Sequence, residues 1–206
     1  MVVKRTFDIA FSFIALVISL PLLLIIAIII KGTSKGPIFY KSKRVGKGGK
    51  GFFMYKFRSM VDNASEIGPT ITHRGDSRIT GIGKFIRAFK IDEFPNLINV
   101  LNGDMSIVGP RPELPEFVKD ANFQEKGILD IKPGITGLAQ LAFVNEAASL
   151  KENNLNEDYN KILTHKMKLD MVYKNKQNFR LDLWIIAKTI ITIAFNTKRK
   201  KNASKI

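Results

Sequence analysis

One uncharged segment dominates what this chain can fold into. From Ile9 to Ile30 there are 22 consecutive residues without a charge, and eight of them are isoleucine. As a continuous helix the segment would be about 33 Å long, which is enough to cross the hydrocarbon core of a bilayer. It exceeds the apolar core of a secretory signal and runs into Lys31 without a small-residue cleavage site, so a cleaved signal is disfavoured. A buried helix of a soluble protein is also disfavoured, because no polar stripe marks a solvent face.

Pro21 and the flanking charges argue against a simple crossing. Pro21 lacks a backbone donor and lies near the middle of the segment, where it bends or breaks a helix. Both flanks are basic, with Lys4 and Arg5 before the segment and Lys31, Lys35, Lys41, Lys43 and Arg44 after it. Because basic flanks stay in the cytoplasm, a helix hairpin that enters one leaflet and returns satisfies both observations. A tilted single span that is kinked at Pro21 accounts for them equally well.

The net charge restricts the class of partner. The 206 residues include 33 Lys and Arg against 18 Asp and Glu, which gives a formal charge of +15. This excess favours nucleic acid, an anionic membrane or the phosphates of a substrate. A chain that is 45% apolar and 25% charged is typical of one folded domain. Since it has no cysteine, a thiol nucleophile, a cysteine zinc site and a disulfide framework are excluded.

Residues 37–60 predict a β-hairpin. The two strands, 38–40 and 52–60, are separated by a loop that is rich in glycine and lysine. This loop lacks the Gly-Lys-Ser/Thr end of a P-loop, so we interpret it as a flexible turn. In the second strand, alternation places Lys56 and Arg58 on one face. Two cations on a rigid element suit an anion site, and a solvated basic face explains them equally well.

The remaining sequence predicts loops and helices. Residues 62–81 are polar and indicate a loop, and neither His73 nor His165 has metal-type spacing. Two further stretches, 109–112 and 132–137, predict stiff turns because of their Pro and Gly residues. Helices are expected at 82–89, 95–102, 156–175 and 181–195.

The C-terminal region indicates a membrane surface. The helix predicted at 181–195 carries one narrow polar stripe formed by Asp182, Thr189, Thr192 and Asn196. Such a pattern suits a helix that lies in a membrane interface or packs on the core. The basic tail, 198–201, suits either a contact with anionic lipid or a disordered end.

Two adjacent acids, Asp92 and Glu93, lie just before the short helix that is predicted to begin near Pro95. Acids in this position can simply compensate the helix dipole. Cations in neighbouring segments favour a further role, and these are Lys56, Arg58, Arg87 and Arg111. Cations beside two carboxylates suit a phosphodiester or diphosphate together with a divalent metal. One carboxylate can hold Mg²⁺ through oxygen, and the other can attack phosphorus.

Several long motifs contain these residues in a fixed order. They are Lys56–Met60, Asp76–Thr80, Lys90–Leu101, Gly103–Ser106, Val108–Glu113 and Pro133–Gln140. In this order they resemble the motifs of bacterial sugar transferases, the monotopic phosphoglycosyl transferases. The resemblance covers nearly the whole chain, from Lys4–Asp8 to Leu181–Leu183, and the length is similar to that of the small form of the family.

The resemblance implies the first membrane step of a bacterial glycoconjugate pathway. A phospho-sugar would pass from a UDP-sugar to polyprenol (undecaprenyl) phosphate, with release of UMP. Asp92 would match the nucleophile that forms a covalent phosphosugar intermediate, and Glu93 would match the residue that helps hold Mg²⁺. Lys56, Arg87 and Arg111 match positions associated with phosphate and nucleotide binding. A re-entrant helix broken at a Ser-Pro pair is also implied, which favours the hairpin over the span.

Two segments depart from the family pattern. The break would lie at Ser19-Leu20-Pro21, so Ser19 would have to replace the serine that directly precedes the proline, or the kink would depend on Pro21 alone. After Gln140 the family continues with a Val-Asn-Gly-Arg-Asn-like segment, whereas this chain continues with residues 141–147 of another sequence and lacks that arginine. The change suggests a different sugar or a different loop.

The sequence therefore predicts an α+β fold with three parts. A re-entrant membrane hairpin broken near Pro21 would occupy residues 1–36. A cytoplasmic catalytic domain with a small β-hairpin and interfacial amphipathic helices would occupy 37–196, and a basic tail 197–206. Expected partners are a UDP-sugar, polyprenol phosphate and anionic lipid, and nucleic acid is not expected to bind. The expected location is the cytoplasmic face of the bacterial inner membrane. The sequence does not decide whether the chain forms a homo-oligomer. The alternative is a non-enzymatic, membrane-anchored basic module that binds anionic lipid or nucleic acid.

Overall fold

The helices and strands surround three clusters of buried apolar side chains, and the N-terminal helix takes part in two of them. The computed structural model describes residues 2–73, 75–121, 123, 125–150 and 152–203. The helices are α1 Val2–Thr33, α2 Gly81–Ala88, α3 Asn96–Asn102, α4 Pro115–Asp120, α5 Leu138–Ala142, α6 Glu146–Ser149, α7 Leu155–Lys176 and α8 Phe179–Ala203. The strands are β1 Phe39–Val45, β2 Gly51–Phe57, β3 Ser106–Val108 and β4 Gly134–Thr136. Short 3₁₀ turns occur at Lys47–Gly49, Ile91–Glu93, Ile128–Asp130 and Glu152–Asn154. This mixed composition confirms the α+β class.

Helix α1 is the one helix of the described residues that is long and apolar enough to cross a membrane. It continues through Pro21, so the predicted hairpin and the break at Pro21 are not confirmed. The hydroxyl of Ser19 donates to the carbonyls of Ala15 and Leu16 at 2.7 and 3.3 Å. The carbonyl that Pro21 leaves without a helical donor belongs to Val17. Of the two alternatives given above, the one in which Ser19 replaces the missing hydrogen bond is therefore not met. A serine contact to the preceding turn, such as the one Ser19 makes, can itself bend a helix.

The start of α1 is fastened to the rest of the chain by buried polar contacts. Lys4 Nζ lies 2.6 Å from Asp182 Oδ2 and 3.0 Å from the carbonyl of Val108. Asp8 is 3% exposed and accepts hydrogen bonds from the hydroxyl of Ser106 and the amide of Ile107. These contacts give the first turns of α1 a fixed position on β3 and α8. Lys4 is therefore an internal ion-pair partner and not a free cation for lipid.

Two small sheets replace the single hairpin of the prediction. Strands β1 and β2 are antiparallel, with Phe39 opposite Phe57 and Val45 opposite Gly51, which confirms the hairpin. Strands β3 and β4 are parallel, with Ser106 opposite Gly134. The segment 132–137 was predicted as a turn only, but its residues 134–136 form β4. A side chain at Gly134 would collide with the backbone of Gly109, so the close approach requires glycine.

Helix α8 turns Asp182 and Thr189 of its polar stripe inward. Asp182 is 3% exposed, and the hydroxyl of Thr189 lies 2.6 Å from that of Thr136. The outer face carries the exposed Lys188 and five large exposed apolar side chains, which are Leu183, Trp184, Ile190, Ile191 and Phe195. The helix thus packs on the core and presents an apolar face outward. Its backbone continues to Ala203, across the predicted boundary at 197, while residues 204–206 of the predicted tail lie outside the described residues.

Candidate active site

The acidic pair lies in a short turn between α2 and α3. Thr80 caps α2 by accepting a hydrogen bond from the amide of Gly83, and α3 ends at Gly103, whose φ is +91°. Lys90, which directly precedes the 3₁₀ turn Ile91–Glu93, has φ +58° and is the non-glycine residue with positive φ among the described residues. A left-handed residue there reverses the chain, so that a 3₁₀ turn carries Asp92 and Glu93 into α3.

Glu93 forms ion pairs with two of the cations predicted for the site. Its Oε1 lies 2.8 Å from Lys56 Nζ and 3.4 Å from Arg111 Nη2. Burial, the largest contribution, raises the pKa of Glu93, but the attraction of Lys56, Arg111 and Lys90 together outweighs it. The net effect holds the pKa of Glu93 well below its usual range. The structure therefore brings together Lys56 and Arg111, which are far apart in the sequence, around a fixed carboxylate.

Asp92 has the opposite environment. It is 7% exposed, and its Oδ1 has no hydrogen-bond partner among the described residues. Burial raises the pKa of Asp92, the neighbouring charge of Glu93 raises it further, and Lys56 and Arg87 only partly offset both effects. Adjacent carboxylates whose pKa values are pushed apart are typical of sites where the two groups have different tasks.

Asn96 is a residue that the sequence analysis did not select. It is 2% exposed, and its Oδ1 also lacks a hydrogen-bond partner among the described residues. Since the backbone is helical from the 3₁₀ turn into α3, Asn96 lies one turn after Asp92 on the same side. Two buried, unpaired oxygens in neighbouring positions are unusual, because each costs free energy unless a ligand satisfies it.

These oxygens suit a hard divalent cation. Mg²⁺ prefers oxygen ligands and is usually held by one or two carboxylates while it retains several waters. Asp92, with Asn96 beside it, offers such a donor set, and Glu93 is adjacent although Lys56 and Arg111 already occupy one of its oxygens. Among the described residues no three His, Asp or Glu side chains come together as a closed metal cage. The donor set thus fits a cation that is shared with a phosphate ligand.

Arg87 lies beside the site, whereas Arg58 does not. Arg87 Nη1 donates to the hydroxyl of Ser59 at 3.4 Å, and its charge lowers the pKa of Asp92. Arg58 is 5% exposed and donates to the carbonyls of Ser34 and Lys35 at the end of α1. Strand β2 ends at Phe57, so the alternation that placed Arg58 with Lys56 does not continue. Arg58 is therefore reassigned from substrate binding to fastening the end of α1.

Asn99 fixes Lys56 relative to Glu93 and was missed by the sequence analysis. Its Oδ1 accepts from the amide of Tyr55 at 3.1 Å, and its Nδ2 donates to the carbonyl of Phe53 at 2.8 Å. The side chain is completely buried and links α3 to β2. An asparagine in the middle of the apolar run Leu97–Leu101 was the signal that could have found it.

Comparisons with known proteins show which family the chain is similar to. The family model described as "Bacterial sugar transferase" matches residues 1–196. The UDP-N-acetylgalactosamine-undecaprenyl-phosphate N-acetylgalactosaminephosphotransferase of Aeromonas hydrophila is 38% identical over 93% of this chain. A putative undecaprenyl-phosphate N-acetylgalactosaminyl 1-phosphate transferase of Bacillus subtilis is 49% identical over 57% of this chain. The uncharacterized sugar transferase EpsL of the same organism is 34% identical over 92% of it.

The relatives differ in how much of their length the chain spans. The match covers 43% of the Aeromonas protein and 65% of the first Bacillus protein. It covers 86% of the second Bacillus protein. The similarity therefore includes Asp92, Glu93 and their surroundings, which lie inside the matched residues, and does not extend over the full length of the larger relatives.

Proposed function

The chain belongs to the bacterial sugar transferase family, and we propose that it transfers a sugar phosphate from a UDP-sugar to polyprenol (undecaprenyl) phosphate. The observation that carries this proposal is the contrast between the two acids. Asp92 is buried with an unpaired oxygen, while Glu93 is held by two cations. The names of the relatives support undecaprenyl phosphate as the acceptor.

Asp92 acts as the nucleophile in this proposal. A carboxylate oxygen of Asp92 attacks the β-phosphorus of the UDP-sugar, and the bond between that phosphorus and the oxygen of UMP breaks. UMP leaves with the electron pair, and the sugar phosphate is attached to Asp92 as an acyl phosphate. A phosphate oxygen of the lipid then attacks the same phosphorus. The bond to Asp92 breaks, the carboxylate is restored, and a polyprenyl-diphosphate-sugar is formed.

The raised pKa of Asp92 suits this role. A carboxylate in a poorly solvated position is a stronger base and nucleophile than one in water, once it is ionised. Lys56 and Arg111 supply positive charge beside the reacting phosphorus, where negative charge develops on the phosphate oxygens. Arg87 adds a third cation near Asp92. Glu93 keeps Lys56 and Arg111 in place before the diphosphate binds.

We propose that Mg²⁺ is held by Asp92 and Glu93, with Asn96 as an additional oxygen donor. When bound, the cation would neutralise diphosphate charge and favour departure of UMP. The unpaired oxygens of Asp92 and Asn96 support this assignment. Lys56 and Arg111 both pair with Oε1 of Glu93, so the other carboxylate oxygen of Glu93 is available to bind the cation.

The apolar outer surfaces support a place at the cytoplasmic face of the bacterial inner membrane. Exposed apolar side chains cover much of α1, and α8 presents a second apolar face that includes Trp184 and Phe195. Such faces are stable against lipid and costly in water. A membrane position would bring the lipid acceptor to the site, and basic groups such as Lys41 and Lys43 would lie near anionic headgroups.

A release assay tests the proposed function. Purified protein in detergent is given Mg²⁺, undecaprenyl phosphate and a panel of UDP-sugars, and UMP is measured. We expect one or a few sugars to release UMP, and Asp92→Asn to lower the rate by at least about 10³-fold. The matched control is Asp120→Asn, an exposed acid at the end of α4, which should retain the rate. An unchanged rate in Asp92→Asn would show that Asp92 is not the nucleophile.

A further inference from the structure

A cluster of buried charges lies next to the candidate site and has no part in the reaction described above. Glu113 is 3% exposed, and its Oε2 accepts a hydrogen bond from the hydroxyl of Tyr159 at 2.8 Å. Its carboxylate also forms ion pairs with Lys166 at 3.5 Å and with Arg44 at 3.7 Å. Lys166 is itself 2% exposed, and its Nζ forms a second ion pair with Glu146 Oε1 at 2.7 Å.

A purely stabilising role explains this cluster poorly. Charges removed from water lose hydration, and buried ion pairs often contribute no more to stability than apolar side chains of similar size would. The cluster also contains Asp170, which is 3% exposed, has an Oδ1 without a hydrogen-bond partner among the described residues and lies one turn after Lys166 on α7. Burial raises the pKa of Asp170 to about 8, and the charge of Glu113 contributes to this. The fold therefore keeps several costly groups together at this place.

The backbone of the loop that carries Arg111 is held on both sides of Arg111, and Arg44 of the cluster supplies one of the contacts. Three backbone carbonyls of the loop accept hydrogen bonds. The carbonyl of Pro110 accepts from the amide of Gly134 at 2.8 Å, and the carbonyl of Pro112 accepts from Arg44 Nη1 at 3.3 Å. The carbonyl of Glu113 accepts from the amide of Val45 at 3.1 Å. The two prolines on either side of Arg111 restrict the backbone further. The guanidinium of Arg111 then reaches Glu93 at 3.4 Å.

Charge also links Glu113 to Arg111. The guanidinium groups of Arg44 and Arg111 are near enough to repel each other, which contributes to the lowered pKa of Arg44 after the larger effect of burial. Glu113 attracts both groups, and together with Glu93 and Glu146 it keeps the pKa of Arg111 high despite burial. Without the charge of Glu113, Arg111 would be repelled by Arg44 and would lose part of what holds it near Glu93.

We propose that Glu113 is a positioning residue for Arg111: clamped by Tyr159, Lys166 and Arg44, it holds the Arg111 guanidinium at the place where the diphosphate binds. This inference rests on the proposed function for its catalytic consequence. The geometric part, the placement of Arg111, can be measured without any reaction. Glu146 contributes through Lys166, so the segment 141–147 that departs from the family pattern takes part in the clamp.

Glu113→Gln is the central variant, because it keeps the shape of the side chain and removes its charge. We expect kcat/KM for the UDP-sugar to fall by about 10- to 100-fold, as a displacement of about 1 Å can cause. In an Arg111→Ala background, Glu113→Gln should change kcat/KM by less than about 2-fold, because the residue it positions is absent. An equal loss in both backgrounds would show a general structural role and would overturn the proposal.

A second readout does not depend on activity. The rate at which phenylglyoxal modifies Arg111, followed by peptide mass spectrometry, should rise several-fold in Glu113→Gln. The control is Glu157→Gln, an exposed acid on α7, the helix that also carries Tyr159 and Lys166. Glu157 pairs with Lys161 at 2.7 Å, and its replacement should leave the rate unchanged. If Arg111 reacts at the wild-type rate in Glu113→Gln, the proposal is wrong. If the wild type releases no UMP with any UDP-sugar, the proposed function fails, and the phenylglyoxal result still decides the role of Glu113.

Tyr159→Phe covers the case in which Glu113→Gln does not fold. It removes one hydroxyl and keeps the ring, which lies 5.1 Å from Lys166 Nζ. We expect kcat/KM to fall and the rate of Arg111 modification to rise, as in Glu113→Gln, but the rise should be smaller. A Tyr159→Phe protein that folds and shows wild-type kcat/KM and wild-type Arg111 reactivity would contradict the clamp.

Discussion

Neutralising Asp92 should make the protein inactive and more stable, whereas neutralising its neighbour Glu93 should make it less stable. Asp92 is a buried carboxylate with an unpaired oxygen, and such a group costs about 1–3 kcal/mol. Asp92→Asn removes the charge but leaves a buried polar oxygen, so we expect a gain of about 1–2 kcal/mol. About 1 kcal/mol shifts the unfolding midpoint by about 2–4 °C in a chain of this size, so the midpoint should rise by about 2–8 °C.

Glu93→Gln removes the same charge from the opposite environment. The side chains of Lys56 and Glu93 are 16% and 15% exposed, so the pair is not fully buried. We therefore expect a loss of about 1–3 kcal/mol, below the 3–5 kcal/mol for breaking a completely buried pair. The two variants differ by one position in the sequence and carry the same change in net charge, which makes each the control of the other.

The pH dependence gives the sign of both effects. The pKa of Asp92 is raised in the native state, so its cost is absent below the unfolded pKa of about 4 and grows until the pH exceeds the native pKa. The pKa of Glu93 is lowered, so its stabilising contribution is present above about pH 4 and is lost as the pH falls through the native pKa. The gain of Asp92→Asn should therefore increase as the pH rises above about 4, and it should level off once the pH exceeds the raised native pKa of Asp92.

The assay is thermal unfolding in detergent with a chelator, so that no divalent cation masks the charge of Asp92. Added Mg²⁺ should then raise the midpoint of the wild type, since a ligand at about 100 times its Kd contributes about 2.7 kcal/mol, and should leave Asp92→Asn almost unchanged. If Asp92→Asn lowers the midpoint as Glu93→Gln does, the two carboxylates do not have opposite environments, and the reasoning is refuted.

Three further predictions test separate parts of the structure. Asn96→Leu should weaken the binding of Mn²⁺, measured by electron paramagnetic resonance, by about 10-fold or more, while the exposed Asn102→Ala should not; equal affinities would exclude Asn96 as a donor. Asp8→Asn should lower the free energy of unfolding, measured with denaturant, by about 1–3 kcal/mol. The double variant with Ser106→Ala should lose less stability than the sum of the two single losses, whereas equal values would mean that the two side chains do not interact. Lys90→Ile should cost about 1–2 kcal/mol because φ is +58°, whereas Lys90→Gly should not; equal losses would contradict the left-handed conformation.

Local patterns predicted the elements near the site well. The glycine-rich loop between two β-strand runs predicted the β1–β2 hairpin, and the helix predicted at 95–102 matches α3. Chemical complementarity predicted that Lys56 and Arg111 would meet the acidic pair. In each case the signal was contained in a few neighbouring residues or in the charge of the partners.

Long-range polar pairing could not be predicted from the sequence. Lys4 was interpreted as part of a basic flank at the membrane, and Arg58 as a cation for an anion site. Each instead binds a distant part of the same chain, Asp182 and the end of α1 respectively. No local pattern distinguishes a buried cation from a free one, because the difference is made by the tertiary partner. The same holds for Asn96, whose unpaired oxygen is apparent only from its burial in the folded chain.

The excess of positive charge is accordingly divided among three tasks. Lys4 and Arg58 stabilise the attachment of α1. Lys56 and Arg111 surround Glu93 at the candidate site. Exposed lysines of the β1–β2 hairpin, such as Lys41, remain on the surface for an anionic membrane. The formal charge of the chain therefore overstates the charge that is available for binding.

Intact-protein mass spectrometry tests the role of Asp92 most directly. Purified protein is mixed with the UDP-sugar that it uses and with Mg²⁺, but without the lipid acceptor. We predict an adduct with the mass of the sugar phosphate less one water, attached to Asp92, together with about one UMP per protein. The adduct should disappear when undecaprenyl phosphate is added and should be absent in Asp92→Asn. UMP release that requires the lipid and proceeds without an adduct, or an adduct on another residue, would contradict the proposed mechanism.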